Sequence, residues 1–106
     1  MSEYQRKIRE ILQQKRNARQ HVYDEYDAEE IIEILDRDPN AITALIREFE
    51  KLPDDEFQKT FIADLILMRA PFLEAYVYMT QKRGRSPICY EGTVGGKLLK
   101  EQGKIK

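Results

Sequence analysis

The sequence has little cysteine and histidine and no long apolar run, and each shortage excludes a class of protein. Its one cysteine, Cys89, cannot form an internal disulfide. With one histidine, His21, the chain has too few Cys and His residues for a zinc site of the usual composition. Uncharged apolar runs, such as Leu65 to Met68, are far shorter than the roughly 20 residues that cross a bilayer. The N-terminal residues are charged and contain no secretory signal. We therefore expect a cytoplasmic protein without a membrane span, a metal or a cofactor.

The charges are plentiful and segregated along the chain. Charged residues make up 35% and hydrophobic residues 42%, which allows a single modest core in 106 residues. The net charge of −1 combines +4 in residues 1–21, −10 in residues 22–64 and +5 in residues 65–106. Two interpretations stay open: the basic ends bind the acidic middle, in the same or a neighbouring copy, or they face a polyanion.

Apolar residues recur at helical spacing in several stretches. The first stripe begins at Tyr4 and predicts a helix running toward residue 25. Asp27 is the predicted N-cap of a second helix, and Asp38 followed by Pro39 predicts the start of a third. The stretch 53–70, which begins with Pro and early acids, predicts the central helix.

Residues 71–83 continue the helical pattern, and Gly84 is a typical helix stop after Lys82 and Arg83. No window alternates with period two, so any strand is confined to Ile88 to Tyr90. The sequence therefore predicts an all-α fold, a compact array of four or five helices. We expect residues 1–83 to form a single helical domain and residues 84–106 a basic, Gly-containing tail that is flexible or ordered by a partner.

The stretch "QKRGRSPICYEGTVGGK", residues 81–97, differs most from its surroundings. It does not form a nucleotide-binding phosphate loop, because Glu91 and Leu98 occupy the positions that need Gly and a hydroxyl. "KRGRSP" resembles the AT-hook, a minor-groove-binding segment with an Arg-Gly-Arg-Pro core, although Ser86 precedes the Pro. That resemblance implies contacts from two Arg side chains in a narrow AT-rich groove. A helix end followed by a turn explains the same residues.

No catalytic set emerges from the remaining residues. Cys89 and its potential base, His21, lie at opposite ends of the sequence. Asp64 stands among apolar residues of the predicted central helix, which indicates a buried ion pair with Arg69 or Arg47. We therefore expect no enzyme and no small-molecule substrate.

Tyrosine is the main aromatic residue, with six Tyr, four Phe and no Trp. Tyr76 and Tyr78 lie on different faces of one predicted helix, so at least one should point away from the core. Tyr23 and Tyr26 stand beside the acidic run, and exposed Tyr with charge around it is typical of interfaces.

Two functions from different classes follow. The first is a small helical protein-protein interaction module, an adaptor, regulator or assembly factor, that binds protein partners and copies of itself through Tyr23, Tyr26, Glu29, Glu30, Tyr76 and Tyr78. The second is a nucleic-acid-binding regulator that contacts phosphates through Arg6, Arg9, Arg16, Arg19, Lys82, Arg83, Arg85 and Lys97. The net charge of −10 in residues 22–64 argues against the nucleic-acid-binding function, because it would repel the phosphates.

Overall fold

The protein folds as α-helices joined by turns in this computed structural model, which describes residues 3–17 and 25–106. The side chains at 14–17, 25–27 and 57 are not part of that description. Within the described residues there are six α-helices and no β-strand, so the all-α prediction is confirmed and the count exceeds the four or five expected. None of these helices is long and apolar enough to cross a membrane. The chain divides into two units, Met1–Lys51 and Leu52–Lys106.

The first helix of unit 1, α1 (Glu3–Asn17), follows the predicted apolar stripe. Ile8 and Leu12 are buried, and α1 packs against the two helices that follow it in this unit. Charged residues one turn apart form ion pairs on the exposed face, with 3.8 Å between Arg6 Nε and Glu10 Oε1. The predicted extension toward residue 25 lies mostly in 18–24, outside the described residues.

The second helix, α2 (Glu25–Arg37), buries Ile31, Ile34 and Leu35 and exposes acidic residues on its other side. It begins two residues before the predicted N-cap, so Asp27 lies inside the helix and that prediction is wrong. Acidic residues are favourable anywhere in a first helical turn, because each of those positions lies near the positive end of the helix dipole. The charge pattern therefore did not distinguish between the two starting points.

The third helix begins as the sequence predicted. Asp38 Oδ1 accepts a hydrogen bond from the backbone N–H of Asn40 at 3.2 Å, and Pro39 opens a 3-10 turn, Pro39–Ala41. This turn leads into α3 (Ile42–Lys51), which buries Ala44, Leu45 and Phe49.

Unit 2 is built on α4 (Phe57–Leu67), which packs against α5 and α6. Its apolar residues are buried on most of its circumference, as expected of a core helix. The helix begins at Phe57 and not at Pro53, because residues 53–56 form a turn closed by a bond of 3.1 Å from Glu56 N–H to the Pro53 carbonyl. Pro71 separates α4 from α5 (Leu73–Val77).

The helix widens into a π turn after α5 and then ends at Gly84. A π turn, Tyr78–Lys82, follows directly, and the Arg83 N–H donates to the Tyr78 carbonyl five residues earlier at 3.1 Å. Gly84 has a φ of +69°, the left-handed conformation that ends a helix. The predicted stop at Gly84 is therefore confirmed.

Residues 84–106 contain regular structure, which differs from the tail expected. A 3-10 turn, Pro87–Tyr90, lies where the sequence allowed a short strand, and α6 (Val94–Glu101) follows. Leu99 is fully buried. An ideal Cβ at Gly95 would lie 2.5 Å from the Leu67 carbonyl oxygen and closer still to that of Ala70. The segment is therefore packed against α4 and the loop behind it. The predicted boundary at residue 83 stays a prediction.

We expect G95A to destabilise unit 2 by roughly 1–3 kcal/mol, because its methyl group collides with two backbone carbonyls that cannot rotate away. Chemical unfolding monitored by circular dichroism measures the change. G92A is the matched control, since nothing lies within 4 Å of a Cβ there, and it should change stability by no more than about 0.5 kcal/mol. Equal stability of G95A and the wild type would mean that α6 is not packed as described and would favour a flexible tail.

Candidate functional site: a lysine-lined pocket on unit 2

A pocket of about 370 Å³ opens on unit 2 between the 3-10 turn and α6. Three lysines of α6 and the C-terminal segment line it, together with two tyrosines and the apolar Pro87 and Ile105; the ionisable and aromatic members are Tyr76, Tyr90, Glu91, Lys97, Lys100 and Lys106. Its volume lies at the small end of the ~300–1,000 Å³ seen for ligand pockets. The pocket therefore has room for a small group or a few side chains.

The floor of the pocket depends on Tyr90, which is buried and packs edge-to-face against Tyr76. The two ring centroids are 6.0 Å apart, with an angle of 69° between the planes. The Tyr90 hydroxyl donates to Asp64 Oδ1 at 3.2 Å, and Arg85 donates to Asp64 Oδ2 at 3.3 Å. One carboxyl group on α4 thus holds both the 3-10 turn and the segment before it.

The partner of Asp64 corrects the sequence prediction. A structural ion pair was expected with Arg69 or Arg47, and the pair is with Arg85. Arg85 directly follows the helix stop at Gly84. Its position in the fold therefore depends on the turn that Gly84 makes. The spacing along α4 carried no information about that turn.

The pKa of both bonded groups departs from the ordinary value. Burial raises the pKa of Asp64, while the charge of Arg85 and the hydrogen bond from Tyr90 oppose the shift. Burial, followed by the charge of Asp64, raises the pKa of Tyr90 well above its usual 10. The Tyr90 hydroxyl therefore stays protonated and remains a hydrogen-bond donor beneath the pocket.

The α6 wall of the pocket is positioned by two close contacts. An ideal Cβ at Gly96 would overlap the Tyr90 carbonyl oxygen, so only glycine lets α6 approach the 3-10 turn this closely. Thr93 caps the helix, because its Oγ1 accepts from the Gly96 N–H at 3.0 Å and its hydroxyl donates to the Tyr90 carbonyl at 2.8 Å. Lys97 and Lys100, three residues apart, then share one helix face.

A second polar cluster in unit 2 is structural. Lys59 is buried, and its Nζ donates to the Leu52 carbonyl at 2.9 Å and to Asp54 Oδ1 at 3.0 Å. It also lies 5.2 Å from the centroid of the Tyr78 ring. The hydrogen bond from Lys59 lowers the pKa of Asp54. The ammonium group is thus surrounded by internal partners, as a buried charge requires.

Tyr78 belongs to this cluster, and its predicted place on an interaction surface needs correction. Only 4% of the residue is exposed, and its hydroxyl donates to the Asp54 carbonyl at 2.9 Å. Tyr76 is half-buried in the wall of the pocket, in line with the expectation that the two residues face different ways. The π turn that follows α5 begins at Tyr78, which the helical periodicity did not reveal.

The other predicted interaction residues belong to unit 1 or lie outside the described residues. Glu29 and Glu30 are exposed on α2. Tyr26 lies in the first turn of the same helix, and its side chain is not described. Tyr23 falls outside the described residues.

The predicted phosphate-binding cations are dispersed, and several have internal partners. Arg83 Nε donates to the Tyr78 hydroxyl at 2.9 Å, Arg85 binds Asp64, and Lys82 Nζ lies 3.8 Å from Asp54 Oδ2. Arg6 and Arg9 are exposed on α1, where Arg6 pairs with Glu10. Arg16 lies on α1 with its side chain undescribed, and Arg19 lies outside the described residues. Among the predicted cations whose side chains the structure describes, only Lys97 lines the pocket.

Sequence reasoning missed Lys100, Lys106, Tyr90 and Pro87 as members of one site. The sequence contained a signal for Lys100, because "GGKLLK" places two lysines three residues apart on a short amphipathic segment. Pro87 and Tyr90 join the site through the turn between α5 and α6, and Lys106 joins it from the segment that follows α6. The arrangement provides positive charge around a partly aromatic concave surface, which suits an anionic group with some apolar character.

Other site chemistries have little support in the part of the chain that the structure describes. No group of three or more His, Cys, Asp and Glu side chains there is arranged to hold a metal ion. Cys89 is exposed on the 3-10 turn, and His21, its potential base, is outside the described residues.

The variant Y90F tests the Asp64 to Tyr90 bond through pH. Near neutral pH we expect Y90F to be less stable than the wild type by about 1 kcal/mol, the typical value of one buried hydrogen bond. Above pH 10, tyrosine ionises in the unfolded chain while Tyr90 in the folded chain stays protonated, so wild-type stability falls as pH rises. Y90F lacks this loss. The wild-type advantage, measured by urea unfolding at each pH, should shrink above pH 10, and a constant difference would contradict the buried, carboxylate-bound hydroxyl.

Comparison with known proteins identified no relative of this chain. No protein-family model matches the sequence, and no curated protein or solved structure matches it either. The function is therefore inferred from the contacts and charges of the described residues.

Proposed function

We propose that this protein is a small, non-catalytic helical interaction module that binds acidic segments of protein partners, including copies of itself, in the lysine-lined pocket of unit 2. The observation that carries the proposal is the state of the three lysines in the pocket. Lys97, Lys100 and Lys106 form no ion pair within the described residues, whereas Lys59, Lys82 and Arg85 of the same unit do. Cations that lack an internal partner and surround a concave surface favour an external anion.

The pocket also favours a protein segment over a purely ionic ligand. Tyr76 and Pro87 contribute aromatic and apolar surface beside the charges, and Tyr is enriched in protein interfaces. Ile88 is 68% exposed and follows Pro87 directly in the sequence, so further apolar surface lies next to Pro87. An acidic segment with an apolar or aromatic residue would satisfy both parts of the surface.

Nucleic-acid binding is the alternative, and the unpaired lysines also favour it because phosphate binds lysine readily. Two observations weaken it. The cations of the AT-hook-like segment, Arg83 and Arg85, bind groups within unit 2. Unit 2 as a whole has a net charge of only +2. A duplex would therefore meet little excess positive charge there.

A reducing, cytoplasmic location fits this proposal. Cys89 is the one cysteine of the chain and is exposed as a free thiol, a state that a reducing compartment preserves.

Fluorescence anisotropy with two labelled probes tests the function. The first probe is a synthetic peptide of six Glu and one Tyr, and the second is a random-sequence DNA duplex. We expect the peptide to bind at low salt and K97E/K100E to weaken its binding by at least about tenfold, because each reversal replaces attraction with repulsion. K97R/K100R keeps both charges and should retain binding. Circular dichroism verifies that the variants are folded.

Three results would count against the proposal. Absence of peptide binding at low salt would exclude the pocket as a site for acidic segments. Equal binding by the wild type and K97E/K100E would mean that the peptide binds at a site other than the pocket. Tighter binding of the duplex than of the peptide, with a steep loss as salt rises, would favour the nucleic-acid alternative.

A further inference from the structure

We infer that the occupant of the lysine-lined pocket is the acidic face of α2 from a second copy of this chain, so that copies associate head to tail. The inference rests on the proposed function, since it names the partner of the same pocket. It depends on two surfaces of opposite charge that lack partners among the residues that the structure describes.

The first surface is the exposed side of α2. Ile31, Ile34 and Leu35 are buried on the opposite side of this helix. Glu33 pairs with Arg37, with 3.7 Å between its Oε1 and an Arg37 nitrogen. Glu29 and Glu30 are exposed as well, and within the described residues neither has an ion-pair or hydrogen-bond partner.

The second surface is the pocket itself, where three lysines likewise lack a carboxylate partner among the described residues. Glu29 and Glu30, which are adjacent in sequence and point in different directions around α2, and Lys97 and Lys100, which share one face of α6, provide surfaces of opposite charge. Such complementarity orients an encounter and selects its register more than it adds raw affinity. We therefore expect a weak, salt-sensitive association.

The charge layout of the chain makes a second copy a better occupant than an unrelated acidic protein. Unit 1, which includes α2, has a net charge of −3, and unit 2, which includes the pocket, has +2. Each copy thus carries one acidic and one basic unit. An interface between different surfaces of identical chains is heterologous, so it leaves a free acidic face at one end and a free pocket at the other. Association should continue beyond the dimer.

Complementation of two neutralised variants tests this geometry by sedimentation velocity at low salt. E29Q/E30Q keeps the pocket and loses the acidic face, whereas K97Q/K100Q keeps the acidic face and loses the pocket. We expect the wild type to form species larger than a dimer as concentration rises. Each variant alone should associate at least about tenfold more weakly. Their equimolar mixture should form a one-to-one dimer and nothing larger, because only one functional interface remains.

The control E50Q/D55N removes two other exposed acids and should associate like the wild type. Three outcomes would overturn the inference: a wild type that stays monomeric at low salt, variants that associate as well as the wild type, or a mixture that fails to form the dimer. Peptide binding in the pocket together with a monomeric wild type would leave the proposed function standing and reject the second copy as occupant. Absence of both peptide binding and self-association would reject the pocket as a binding site.

Discussion

The close approach of α6 to its neighbours is the constraint on which unit 2 and its pocket depend. Gly95 faces the carbonyls of Leu67 and Ala70, and Gly96 faces that of Tyr90, with no room for a side chain at either position. Because backbone carbonyls are held by the elements to which they belong, a methyl group there would displace α6 as a whole. Leu99 is buried as a consequence, and the lysines of α6 face the 3-10 turn.

A second level of organisation is the division of the charged residues of unit 2 by role. Lys59 donates hydrogen bonds to the Leu52 carbonyl and to Asp54, and Arg85 donates to Asp64. The Lys59 contacts are local, whereas the Arg85–Asp64 pair joins residues 21 positions apart, and Asp64 also accepts a hydrogen bond from the Tyr90 hydroxyl. The pocket lysines have no such task among the described residues. Charges with internal partners account for structure, and the remaining charges are the ones available for recognition.

Local signals in the sequence predicted much of the fold. The cap at Asp38 with Pro39, the stop at Gly84 and the buried stripe of α1 all match the structure. Each depends on residues within one or two helical turns, so the pattern contains the necessary information. The start of α2 and the start of α4 were less well predicted, since several acidic or Pro-containing positions satisfy the same preferences.

The candidate site was predicted only in parts. Tyr76 and Lys97 were candidates for different functions, and the structure brings them to one pocket. Tyr78, expected at a surface, is buried because its hydroxyl finds the Asp54 carbonyl, Arg83 and Thr60. Asp64 was expected to pair, and its actual partner lies beyond a turn. Apart from the Arg83–Tyr78 bond, which spans five residues, these contacts join residues 18 to 26 positions apart, a separation at which periodicity has no influence.

By itself, the sequence determined the helical class, the main core residues of α1 to α4, the helix stop at Gly84 and the segregation of charge, because hydrophobic period and capping act locally. Tertiary structure alone decided that residues 84–106 contain a 3-10 turn and α6, that Asp64 binds Tyr90 and Arg85, and that three lysines line one pocket. The physical reason is the same in each case. These features arise where separate elements meet, and the meeting is set by close packing at two glycines and by one shared carboxyl group.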